Sequence, residues 1–114
     1  MAKGALAIPV VDEEATRNIA KEMAGARSDE HDEARRRSGI TGESAWYQHT
    51  PMGDLLVLHF EGKSPEEAFA AFGADNSAFG QWFKDQVKKA HGVDLTQPPP
   101  GPPPEQIFEW HDNS

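Results

Sequence analysis

The sequence predicts an α+β domain with the element order β-α-β-β-α-β, one antiparallel sheet carrying its helices on a single face. Three observations point there: a hairpin written into Gly42–Gly62, capped helical segments on either side of it, and alternating runs near both ends of the chain. At 114 residues the chain reads as one domain, 1–114, able to bury roughly two thirds of its unfolded surface.

The first strand is predicted from Leu6, Ile8 and Val10 alternating with Ala5, Ala7 and Pro9, which gives one bulky and one small side. Pro9 has no N–H to donate, so it is expected at a bulge or beside a gap in pairing. Asp12 then offers an N-cap with Glu13 and Glu14 in the first turn, followed by the apolar stripe Ala15, Ile19, Ala20 and Met23. Gly25 interrupts this helix. Ser28, Asp29 and Glu30 restart it, and it continues through Ala34 and Arg35-Arg36-Arg37 to Gly39, with the arginines at its negative end.

In the hairpin, Thr50-Pro51-Met52-Gly53-Asp54 supplies proline for a type I turn and glycine for a positive φ, predicting a three-residue loop closed by a bulge. That turn sets a register with Thr50 opposite Asp54. His49 then faces Leu55, Tyr47 faces Val57, Ala45 faces His59 and Glu43 faces Glu61 on one side of the sheet. Gln48/Leu56, Trp46/Leu58 and Ser44/Phe60 share the other, which reads as core. The first set mixes apolar residues with histidines, a tyrosine and glutamates, and reads as the lining of a cavity.

Ser64-Pro65-Glu66-Glu67 is a helix start with serine as N-cap, proline at N1 and glutamate closing a capping box. Ala68, Phe69, Ala71 and Phe72 follow, and Gly73 is expected to end the element. A further helix opens at Asn76 or Ser77, carries Phe79, Phe83, Val87 and Ala90 at helical spacing, and stops at Gly92. Residues 97–104 form a proline-rich connector; from Pro98 to Pro104 six of seven residues lack the amide donor, so it is an extended, stiff spacer. Gln106 to His111 alternates like a final strand, which the spacer returns to the sheet. With that strand the order is ferredoxin-like, a four-stranded antiparallel sheet with helices on one face.

A net charge of −8 argues against nucleic acid or an anionic membrane as partner. No cysteine is present, which removes disulfides, thiolate catalysis and cysteine metal sites. The opening MAKGALAIPVV reads as a strand rather than a signal peptide, and no stretch approaches membrane-spanning length, so a soluble, cytoplasmic protein is expected. No Gly-rich phosphate loop, Ser-His-Asp spacing or dinucleotide fingerprint occurs, and no cofactor is expected.

The order of elements, together with Arg37-Ser38-Gly39-Ile40, Glu43, Trp46, Thr50-Pro51, Gly53-Asp54, Trp82-Phe83, His91-Gly92 and Asp94-Leu95, resembles the dimeric α/β-barrel superfamily. Within it, the chain resembles a small bacterial family of stand-alone proteins with no assigned activity, so no catalytic residue is carried over. The resemblance implies a homodimer in which two open sheet faces enclose a pocket. The wider superfamily includes cofactor-free oxygenases, haem-degrading oxygenases and lactone isomerases, but the Asn-Trp-His set of the haem degraders is not found at matching places.

His59 is the leading candidate for chemistry. The predicted register puts Glu43 and Tyr47 diagonally across from it, Glu61 two residues along and small Ala45 opposite, leaving room above the ring. An imidazole among carboxylates is a workable general base, and a tyrosine can orient a substrate oxygen. The plain alternative is His59 paired with Glu61 at a rim. His49, Val57, Trp82, Trp110 and Arg37 are candidate ligand contacts, with Arg37 as an anion clamp. The predicted register separates His49 and His59 by about 13 Å, too far for one ion; His59 with Glu43 and Glu61 is a geometrically possible one-histidine, two-carboxylate set but has no motif specificity, and no metal site is expected. His31 reads as a solvated helix residue, Trp46 as core and His91 as an imidazolium at a helix C-terminus. The leading function is a small-molecule pocket with acid–base or oxygenase chemistry at His59. Its rivals are a binding or sensing protein without turnover and a structural dimer.

Overall fold

A computed structural model describes residues 2–99 and 101–112. Seven elements follow in order among them: β1 (Lys3–Pro9), α1 (Glu13–Ala24), α2 (Ser28–Arg37), β2 (Gly42–Gln48), β3 (Leu55–Glu61), α3 (Pro65–Ala74) and α4 (Ala78–His91). The strands form one antiparallel sheet in the order β1-β3-β2, with β3 in the centre.

The fold is therefore α+β with three strands and four helices, which corrects the expected four-stranded, ferredoxin-like sheet. Gln106 to His111 forms no strand, and Ile107, Phe108 and Trp110 are exposed. Its pattern explains this: Ile107 and Phe108 are adjacent, so each side of an extended chain here mixes apolar with polar residues and neither offers a clean strip to bury. Within the proline-rich connector, residue 100 lies outside the described residues, and its described neighbours are exposed and carry neither helix nor strand.

The hairpin forms, but its register differs by one residue from the predicted one. Gln48 pairs with Leu55, Tyr47 with Leu56, Trp46 with Val57, Ala45 with Leu58, Ser44 with His59 and Glu43 with Phe60. The turn itself is present, with the Gly53 N–H donating to the Thr50 carbonyl at 3.1 Å, yet pairing stops at Gln48 and leaves 49–54 as a longer loop. Because side chains alternate along a strand, this slip exchanges the two faces of β2. Tyr47 and Glu43 turn toward the helices, and Trp46, expected in the core, points to the open face and is 57% exposed.

Local signals elsewhere are found where the sequence puts them. Asp12 accepts from the Ala15 N–H at 2.9 Å, Ser64 and Glu67 make a reciprocal capping box, and Ser77 caps α4. Pro9 is an exception: expected at a bulge or beside a gap in pairing, it closes β1 opposite Leu55 in an unbroken ladder, where the edge position of the strand tolerates the missing donor. Gly92 adopts φ 69° after α4, the left-handed conformation of a helix stop. Gly73 does not end α3, which runs to Ala74; a Cβ on Gly73 would lie 2.1 Å from the Leu95 carbonyl oxygen, so glycine there permits a close chain approach.

The core lies between the sheet and the helices. Ile8, Leu58 and Phe60 from the strands meet Ile19, Phe72 and Phe83 from the helices, and Phe60 is 1% exposed. Rings of Phe60, Phe69, Phe72, Phe79 and Phe83 pack at centroid distances of 5.3 to 6.2 Å. Besides Thr16, whose hydroxyl donates to the Asp12 carbonyl at 2.9 Å, two polar groups are buried here. His91 is 5% exposed and its Nδ1 lies 2.9 Å from the Pro9 carbonyl, so Nδ1 carries the proton and ties α4 to the end of β1. Burial holds its pKa below the ordinary 6.5, the bond to Pro9 only partly opposing, so the ring is neutral rather than the expected imidazolium.

The other is Arg35. Its Nε donates to Glu43 Oε1 at 2.9 Å and its Nη2 to Glu43 Oε2 at 3.3 Å. The guanidinium carbon lies 4.0 Å from the Phe72 ring centre and 4.8 Å from that of Phe83. His31 Nε2 sits 2.9 Å from Glu43 Oε1, so His31 is a partner of the pair and not the solvated residue expected. Burial raises the Glu43 pKa, but the His31 hydrogen bond and the charge and bonds of Arg35 outweigh it, leaving the carboxyl below its ordinary 4.5.

Two outcomes follow from these buried groups. Glu43→Ala leaves a buried guanidinium unpaired and is expected to cost about 3–5 kcal/mol in urea denaturation, whereas the Glu43→Leu/Arg35→Met double variant costs less than that single change. For His91 and Glu43 alike the folded pKa lies below the unfolded one, so each contributes stability above its ordinary value and loses it as pH falls. Denaturation midpoints are therefore expected to decline first just below pH 6.5 and again below pH 4.5; His91→Gln should flatten the first decline and leave the second.

Candidate functional site

All the helices pack on the face carrying Leu58 and Phe60, so the other face of the sheet is bare. Ala5 and Ala7 of β1, Val57 and His59 of β3, and Ser44 and Trp46 of β2 form its middle. His59 stands opposite Ala5 on one side and Ser44 on the other and is half-buried, and its ring makes no hydrogen bond among the described residues. Glu61 is next along the same face, exposed and opposite Lys3. Val57 sits between Ala7 and Trp46.

Of the four residues expected to act together, this face holds only His59 and Glu61. Tyr47 and Glu43 are on the opposite side of the sheet, which corrects the convergence drawn from the predicted register. Glu43 is spent on Arg35 and His31. Trp82 packs on the core side, its ring 5.6 Å from Phe79 and under the Arg27 guanidinium at 4.3 Å, so it does not reach the open face. Trp110 is 72% exposed in the C-terminal segment. Arg37 is bonded to both oxygens of Asp75 at 3.3 Å and lies 3.6 Å from Glu33, so carboxylates of the chain already occupy the expected anion clamp.

Tyr47 and His49 join a second group at the mouth of the hairpin. The Tyr47 hydroxyl donates to Asp54 Oδ2 at 2.6 Å, and His49 Nδ1 lies 3.2 Å from Asp54 Oδ1. Arg17, one turn into α1, bonds Glu13 at 2.9 Å and lays its guanidinium 4.5 Å from the centre of the Tyr47 ring. Burial, then the hydrogen bond and charge of Asp54, push the Tyr47 pKa up to about 12. The same hydrogen bond, ahead of the contact with His49, holds Asp54 below its ordinary value. The Val10 N–H donates to the Asp54 carbonyl at 3.0 Å, so the loop is tied to the strand end from which α1 departs.

Two clefts, about 660 and 550 Å³, lie around α2. The smaller has Arg35 and Glu43 in its wall and Gly39 to Gly42 along its rim. Neither lies over the open sheet face.

Asp54, Glu13, Arg17, Arg35 and His31 take part in these clusters and are not among the site residues expected from the sequence. For Arg35 a signal exists: His31, Ala34, Arg35 and Ser38 fall at i, i+3, i+4 and i+7, the inward stripe of α2, which distinguishes Arg35 from its two neighbouring arginines. Glu13 and Asp54 meet only through the fold. Comparison with family models, with curated proteins and with solved structures finds no match to this chain.

The chain has a single tyrosine, so its ionisation can be followed alone by ultraviolet absorbance. The midpoint is expected near 12, and Asp54→Asn should return it toward the ordinary 10.

Proposed function

We propose that the chain acts as a homodimer joined through its open sheet faces, with a binding pocket for a small, partly apolar molecule between them. The observation that carries this reading is the bare face itself, with Trp46 and Val57 side by side at its centre and no helix over them. Charge favours a second copy as the occupant. The chain carries −8, yet the ladder residues of this face bring only Lys3 and Glu61 as formal charges, and Lys3 is paired with Glu109 of the C-terminal segment, so two copies meet through a surface of low charge. Nucleic acid and anionic membranes would meet the acidic chain unfavourably, and no helix among the described residues is long and apolar enough to cross a membrane.

Binding is preferred to turnover because the register separates His59 from Tyr47 and Glu43, leaving it with Ser44 and Ala5 as cross-strand neighbours. Three strands of seven residues span about 23 by 14 Å, a small footprint beside the roughly 800 Å² each partner buries in a stable interface. Exposed Ile107, Phe108 and Trp110 supply further apolar surface for it. A cytoplasmic location belongs to the same reading and rests on composition alone.

Sedimentation equilibrium tests the dimer, and equilibrium dialysis against 2-naphthol tests the pocket. The expected results are twice the chain mass, a monomer on Trp46→Lys, and saturable 2-naphthol uptake that is lost in Trp46→Lys and kept in His59→Gln. A monomeric wild type would sink the whole reading; a dimer that takes up no apolar probe would leave an interaction module.

A further inference from the structure

We propose that the mouth of the hairpin binds a first-row divalent transition ion, with Glu13, His49 and Asp54 as its ligands. One nitrogen or oxygen from each side chain lies within 4.8 Å of the other two. An ion bonded at about 2.1 Å holds adjacent ligand atoms roughly 3 Å apart, so the group needs only a modest contraction to close around one. The two ligands that must move are free to: the side chains of His49 and Glu13 are 65% and 45% exposed. Asp54, at 29%, is the fixed point.

Asp54 is held from both ends. Its carbonyl accepts from Val10 at 3.0 Å, and its carboxylate accepts from the Tyr47 hydroxyl at 2.6 Å, the kind of outer contact that orients a metal-binding carboxylate. Glu13 lies three residues beyond Val10, at the start of α1, so one strand end positions ligands that stand 41 residues apart in sequence. The remaining coordination positions face solvent, since Glu13 and His49 are both exposed.

The donor set chooses the ion. One imidazole with two carboxylates suits zinc or nickel better than magnesium or calcium, which prefer all-oxygen sites. Two carboxylates neutralise a dication, but Arg17 sits 2.9 Å from Glu13 and opposes it through like charge. Removing that charge should therefore tighten binding. The site lies on the helix side of β2 and does not depend on the open sheet face or on dimerisation.

Isothermal titration of zinc chloride into the intact, metal-free chain tests the proposal, with magnesium chloride titrated in parallel. Expected are one saturable equivalent of zinc and no magnesium uptake, at least tenfold weaker zinc binding in both His49→Ala and Asp54→Asn, and tighter binding in Arg17→Gln. Circular dichroism of each variant shows that the fold persists. The proposal is overturned by the absence of saturable zinc uptake or by magnesium binding as well as zinc. It is equally overturned by zinc binding unchanged in the His49 and Asp54 variants, which would move the ion to another pair such as His111 and Glu109, 2.7 Å apart.

Discussion

A buried arginine with one carboxylate to meet it decides how this sheet is assembled. Arg35 enters the core from α2, its guanidinium against the rings of Phe72 and Phe83 and beside the sulfur of Met23. A charge placed there is tolerable only when paired, and Glu43 pairs it through two hydrogen bonds while His31 takes up one of the same oxygens. Shifting β2 by one residue would turn Glu43 to the far side of the sheet and leave the guanidinium without its carboxylate. The register of the hairpin is thus held from outside the hairpin. Everything that distinguishes the two faces of β2 follows from it, including an exposed Trp46 and a Tyr47 turned in toward α1.

That dependence explains which parts of the fold are legible in the sequence. Caps, the capping box at Ser64, the break at Gly25 and the stop at Gly92 are contests among neighbours a few residues apart, and reading them needs no tertiary knowledge. The hairpin turn is equally local, and Thr50-Pro51-Met52-Gly53 does bend the chain. Register is different, because β3 presents Leu56, Leu58 and Phe60 inward whatever β2 does, and β2 offers two equally mixed faces, Glu43/Ala45/Tyr47 or Ser44/Trp46/Gln48. Hydrophobicity favours the face with tryptophan. Electrostatics favours the face with glutamate, and only the position of Arg35 on the inward stripe of α2 says which wins.

The C-terminal segment shows the complementary failure. Alternation over six residues predicts a strand, but a strand also needs a donor-rich backbone within reach of an edge and one side worth burying. Proline removes donors through most of the approach, and Ile107 beside Phe108 spoils both sides at once. What remains is an exposed tether linked to β1 by the ion pair of Lys3 with Glu109. Its apolar side chains are left for something other than this chain's own core.

The same one-residue choice also separates two kinds of chemistry that the sequence mixes on one strand. Trp46 and Ser44 go to the bare face with Val57 and His59, giving a surface of few formal charges whose centre is apolar. Tyr47 goes the other way and meets Asp54, His49, Glu13 and Arg17, all polar and all able to carry charge or hydrogen bonds. Association needs the first kind of surface, because apolar area removed from water drives it without leaving charges unpaired. Ion recognition needs the second, because a dication must find fixed oxygens and a nitrogen at the edge of solvent. In the register with Glu43 turned outward, Tyr47 would join Val57 and His59 on the bare face while Trp46 turned in toward the helices, so that neither face would keep one kind of surface. The Arg35–Glu43 pair therefore sorts the surface of the molecule as well as its core, and replacing it with apolar residues would keep a folded chain while loosening the distinction between its two faces.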